Sequence, residues 1–96
     1  MVQRYELAVI INPDVTEENI LSVLDKMTQL ISQMGGATIK VNRWGRRKLA
    51  YPIKHYREGE YVVTQLELES NKAGELKASL RLSDEFLRHL LVRLNA

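Results

Sequence analysis

Lys40, Arg43, Arg46, Arg47, Lys48, Lys54 and Arg57 fall within eighteen consecutive positions, and no acidic residue interrupts them. Trp44 and Tyr51 are interleaved among these cations. Guanidinium forks bind phosphate oxygens bidentately, and flat rings and Arg planes stack on unpaired bases, so this pattern suits single-stranded or looped RNA. A solvated charged loop is the plain alternative reading of the same composition. The segment carries +7 within a chain whose net charge is only +2, which leaves −5 on the remainder. The charge is concentrated in one place, and such asymmetry bears on partners more than the total does.

Other chemistry finds little to work with. There is no cysteine, which excludes disulfides, thiolate metal sites, iron–sulfur ligation and a cysteine nucleophile. His55 and His89 are the only histidines and lack a third ligand at turn or helix spacing, so no metal site is expected. Glu17-Glu18 and Asp84-Glu85 stand at expected element starts, where Glu17 and Glu18 favour a helix dipole without acid–base chemistry. The loop Asn12-Pro13-Asp14-Val15 holds an acid and no glycine cradle, a poor anion site. No enzyme, cofactor or small-molecule substrate is expected.

The 96 residues, 45% hydrophobic with two Pro and five Gly, describe a single globular domain spanning 1–96. Arg4 to Ile11 alternates Tyr5, Leu7, Val9 and Ile11 against Glu6, Ala8 and Ile10, a first strand. After the Asn12-Pro13-Asp14 break, with Asp14 or Thr16 as cap, the spacing of Ile20, Val23, Leu24, Met27, Leu30, Ile31 and Met34 predicts a helix, stopped by Gly35-Gly36. A second strand follows, with Ile39 and Val41 facing one way and Thr38, Lys40 and Asn42 the other. Gly45 suggests a bulge, Leu49 to Ile53 an extension, and Lys54 to Gly59 the turn into a third strand over Glu60 to Glu69. A shorter helix capped by Ser70 or Asn71 carries Ala73, Leu76 and Leu80. Phe86 to Leu94 is the fourth strand, with Phe86, Leu90, Val92 and Leu94 on one face and Leu87 and Leu91 on the other.

The order β-α-β-β-α-β implies a ferredoxin-like α+β fold, a four-stranded antiparallel sheet with two helices on one face. Arg46 and Lys48 then point to one face and Arg47 to the other, so the basic hairpin is expected to project into solvent rather than bury a charge. Ile10, Val63 and one row of the fourth strand lie on the uncovered face, an apolar patch suited to a protein partner.

The run Trp44-Gly45-Arg46-Arg47-Lys48-Leu49-Ala50-Tyr51-Pro52-Ile53-Lys54, followed by Gly59 and Tyr61, resembles the central signature of the bacterial small-subunit ribosomal protein six family. The resemblance extends to the Arg4-Tyr5-Glu6 opening, the Asn12-Pro13 turn, and Arg88 and Arg93 in the last strand. It implies a non-catalytic constituent of the small ribosomal subunit that binds the central domain of 16S ribosomal RNA as a heterodimer with small-subunit ribosomal protein eighteen. On that reading Arg46, Arg47 and Lys48 contact phosphates or the partner, with Lys40, Arg43 and Lys54 beside them. Trp44 and Tyr51 pack or stack, Arg4, Arg88 and Arg93 contribute from adjacent strands, and Ile10, Tyr61 and Val63 face the protein partner.

Many family members carry a polar or acidic C-terminal tail, whereas this sequence reaches Asn95-Ala96 just after the expected last strand, so no role resting on a tail is expected. The first residues lack a basic region with a long apolar run, and no membrane span or membrane partner is expected, which suits a cytoplasmic protein. A free-standing RRM-like single-stranded RNA binder shares the topology, with Tyr5 and Tyr61 as stand-ins for its rings. Gly59 to Thr64 lacks the Arg/Lys-Gly-Phe-Gly-Phe run of that module.

Overall fold

The computed structural model describes residues 1–94; the end of the chain at Asn95-Ala96 lies outside the described residues. β1 spans Val2–Ile11, α1 Glu17–Gln33, β2 Ala37–Ile53, β3 Tyr56–Glu69, α2 Ala73–Arg81 and β4 Phe86–Arg93, with a 3-10 turn over Ser70–Lys72 before α2. The strands form one antiparallel sheet in the order β2-β3-β1-β4, the ferredoxin-like arrangement expected from the pattern.

β1 sits inside the sheet, and its alternation decides the core. Tyr5, Leu7, Val9 and Ile11 are buried against Ile20, Val23, Leu24, Met27 and Ile31 of α1, together with Val62, Leu66 and Leu68 of β3 and Leu76 and Leu80 of α2. Each fully buried aliphatic side chain contributes about 1.5–3 kcal/mol of transfer free energy, so this stripe-on-stripe contact dominates stability.

Neither helix start follows the expected capping. Thr16 holds the N-cap position of α1 but makes no side-chain cap bond. Asn12 instead accepts the Asp14 N–H at 2.9 Å through its Oδ1, an Asx turn, and the Asp14 carboxylate accepts a hydrogen bond from the Tyr56 hydroxyl at 2.8 Å. Ser70 opens the 3-10 turn and no side chain caps α2. At the other end of α1, Gly35 has φ +80 and supplies the left-handed stop.

Bulges overturn two of the expected face assignments. In β2 the register jumps between Thr38 and Lys40, which sets Thr38 opposite Leu66 and Val41 opposite Thr64. Thr38 and Val41 therefore share the helix side, with Lys40 and Asn42 on the open side and Ile39 taken up by the bulge. In β4 the register shifts beside Ile10 and Ile11, so Phe86 pairs Ile11 on the helix side while Arg88 pairs Ile10 on the open side. Leu90 and Val92 share the open face, and Leu91 packs on the core with Phe86.

The hairpin is longer and tighter than expected. Its turn is only Lys54-His55, both in the left-handed region with φ 49 and 74, and Ile53 pairs Tyr56 across it. Two positive φ values in a two-residue loop match the twist of the flanking strands, and this lets β3 begin at Tyr56 rather than Glu60. Between the Lys48–Glu58 and Ile53–Tyr56 pairs, β2 carries extra residues that bow outward around Pro52, which has no N–H to pair. The arm consequently curls across the end of β1 instead of projecting straight into solvent, and Lys54 meets the start of β4.

Candidate nucleic-acid and partner interface

Alternation along β2 and β3 divides the basic residues into two groups. Arg43 and Arg46 stand opposite Val62 and Glu60 and so share the helix side with Glu58 and Glu60. The Arg43 guanidinium binds Glu17 of α1 at 2.9 Å and Glu60 at 3.3 Å, and Glu60 is itself buried. Hydrogen bonding to Glu17, reinforced by Glu60, outweighs partial burial and raises the Arg43 pKa above its ordinary value. Arg46 donates to Glu58 at 2.9 Å and to the Pro13 carbonyl at 3.0 Å, tying the arm to the loop between β1 and α1. Tyr56 adds to that tie, accepting from the Asn12 amide at 3.3 Å while donating to Asp14.

Lys40, Arg47, Lys48, Lys54 and Arg57 form no ion pair among the described residues and are exposed. Arg47, opposite Gly59 on the open side, lies over the Trp44 ring at 5.3 Å, and the ring is 53% exposed. Gly45, at φ +89, makes the bulge that turns Trp44 outward. The result is a cation stacked on a wet aromatic surface, a geometry that presents both a phosphate ligand and a stacking platform.

Tyr51 bridges the sheet. Its hydroxyl accepts a hydrogen bond from Arg88 of β4, whose guanidinium also lies 5.7 Å from the Tyr51 ring centre. Arg4 pairs Glu67 at 3.6 Å on the open side, and Arg93 stands opposite Tyr5 on the helix side near the β4 edge. These two are therefore remote from the arm.

Ala8, Ile10, Tyr61, Val63, Arg88 and Leu90 line a shallow groove of about 190 Å3 on the open face. Gly59 permits this packing: a Cβ there would meet Ile10 Cγ2 at 2.5 Å. Leu90 within the groove and Val92 beside it are exposed, at 61% and 44%. The structure thus brings Ile10, Tyr61 and Val63 onto one apolar face, next to but distinct from the free cations of the arm.

Sequence reasoning missed Glu17, Glu58 and Glu60 as partners of the arm, and Arg57 as a separate candidate. The acids lie outside the basic run: Glu58 and Glu60 stand across the hairpin from it only because the turn is two residues long, and Glu17 reaches it from the start of α1. Leu90 and Val92 were legible in type, but the β4 bulge decides their face.

Among the described residues no helix is long and apolar enough to cross a membrane, and no group of three or more His, Cys, Asp or Glu residues is arranged to hold a metal.

A family model described as ribosomal protein S6 matches residues 4–93. Curated relatives include small ribosomal subunit protein bS6 of Carboxydothermus hydrogenoformans, 39% identical over 93 residues and covering 97% of both chains, and that of Desulforudis audaxviator, 40% identical over 91 residues covering 95% of this chain and 97% of the relative. The crystal structure of 30S ribosomal protein S6 from Thermotoga maritima superposes with a TM-score of 0.90 at 32% identity, over 98% of this chain and 89% of that one. The signature run on the arm, the four-stranded fold and these full-length matches agree, and the chain belongs to the ribosomal protein S6 family.

Proposed function

We propose that this chain is a non-catalytic constituent of the small ribosomal subunit that binds the central domain of 16S ribosomal RNA together with small-subunit ribosomal protein eighteen, in the bacterial cytoplasm. The observation that carries the reading is the arm with five cations lacking an acidic partner among the described residues, beside an apolar groove on the open sheet face. Arg43 and Arg46 take up the hairpin's carboxylates, and the cations left without a partner, Lys48 opposite Glu58 included, have charge available for a polyanion.

On this reading Arg47, Lys48 and Arg57 bind phosphates, Trp44 stacks with Arg47, and Ile10, Tyr61, Val63 and Leu90 bury against ribosomal protein eighteen. Arg43 and Arg46 hold the arm in shape rather than touching RNA. Joint burial of two small surfaces supplies affinity that either alone lacks. The test is binding of a central-domain RNA fragment across a salt series, with and without purified ribosomal protein eighteen. Binding that requires the partner and weakens with salt supports the reading. Tight binding by this chain alone to generic single strands favours the RRM-like module instead.

A further inference from the structure

A second cationic feature lies away from the Arg47–Trp44 surface. Lys54 at the hairpin tip, Arg81 at the end of α2, and Arg88 and His89 of β4 line one concavity of about 280 Å3, floored by Phe86 and Leu87. The hairpin tip meets the junction of α2 and β4 here, and no acidic side chain lines the cup. Lys54, Arg81 and Arg88 have no ion-pair partner among the described residues; of the adjacent acids, Asp84 and Glu85, neither lines the cup, and Glu85 is held by Lys26 at 3.2 Å. Tyr51 holds Arg88 in place through its hydroxyl, so one ligand is already ordered. The half-buried His89 imidazole has its pKa lowered by burial and by the charges of Arg81 and Lys77. Burial is the larger cause; the cationic character of the cup is read from its lining, with Lys54, Arg81 and Arg88 and no carboxylate.

We propose that this cup seats a phosphate of an RNA backbone, with Lys54, Arg81 and Arg88 as cationic ligands and His89 as a hydrogen-bond donor at its floor. The proposal rests on the RNA-binding reading above and extends it to α2 and the outer strand, which the basic run does not include. A phosphate seated there lies at the far side of the arm from Trp44, so a bound strand crosses the arm's tip instead of ending on it.

The test uses the full chain with purified ribosomal protein eighteen and the central-domain fragment. Lys54→Glu with Arg81→Glu is expected to weaken binding about tenfold or more and to make the log–log salt slope shallower by roughly 1.5 to 2, since two phosphate-facing charges are lost. Arg81→Gln alone, a milder change on an exposed side chain, is expected to give part of the loss with an unchanged thermal midpoint. In parallel, titrating the wild-type chain with inorganic phosphate should shift the His89 imidazole resonances and raise its pKa, leaving His55 as the internal control. Wild-type affinity and salt slope in both variants overturn the cup while leaving the RNA reading intact. Failure of the wild-type complex to bind the fragment at all overturns both.

Discussion

Arg46 and Arg47 are neighbours of the same type on the same strand, yet they belong to different regions of the molecule. Arg46 faces Glu58 and the Pro13 carbonyl on the helix side, where a charge near the covered layer must find a partner. Arg47 faces the open side and rests on Trp44 with no carboxylate to neutralise it. The difference teaches that the two-residue period of a strand can divide a basic run into cations that fix a fold and cations available to a ligand. Charge density alone does not make that division: register separates Arg46 from Arg47, and Lys48, opposite Glu58 on the helix side, is left free where Arg46 takes that carboxylate.

The comparison breaks most visibly through the free group. Reversing Arg47, Lys48 and Arg57 to Glu is expected to reduce RNA binding by the heterodimer at least about a hundredfold, while the thermal midpoint stays nearly constant because exposed charges contribute little to stability. A large fall in the midpoint would show that these residues are structural instead.

The pinned group should respond in the opposite way. Arg43→Ala leaves the buried Glu60 carboxylate without its guanidinium, a change expected to cost about 1–3 kcal/mol in denaturant unfolding. RNA affinity measured well below the unfolding transition should stay within a few fold of wild type. Unchanged stability would mean that Glu60 is solvated without Arg43.

Val63→Glu sharpens the boundary between the arm and the apolar face. Placing a charge in the open-face groove should weaken association with ribosomal protein eighteen about tenfold, mainly through faster dissociation, with little change in folding. Affinity equal to wild type in a titration of the two proteins would remove this face from the interface.

The smallest effect concerns His89. Burial, with Arg81 and Lys77, lowers its pKa from 6.5 in the folded chain, so between that lowered value and 6.5 the unfolded chain binds more protons. Stability should therefore fall slightly as pH drops through this window, and His89→Gln should flatten that part of the profile. Identical pH profiles for the two proteins would contradict the assignment.

Much of this was readable from residues alone, for physical reasons that differ by element. Tyr5, Leu7, Val9 and Ile11 alternate without interruption, and Ile20 to Ile31 recur at helical spacing, so the core and the order of elements follow directly. The resemblance carried by the Trp44 to Lys54 run pointed to the family that the full-length matches establish. What the period could not supply was register. One residue absorbed near Ile39 moves Thr38 to the side of Val41, and one near Leu87 moves Phe86 to the helix side. The Lys54-His55 turn contains neither Gly nor Asn, so nothing in its composition announced left-handed backbone. Because the turn sets the pairing, the ion pairs of Arg43 and Arg46 were hidden with it.

The most direct test of the division along β2 is a salt series of RNA binding by the heterodimer, comparing Arg47→Gln with Arg46→Gln. The account predicts a shallower log–log slope, by about 0.7 to 0.9, for Arg47→Gln and an unchanged slope for Arg46→Gln. Equal slopes for the two variants, or a loss confined to Arg46→Gln, would contradict it.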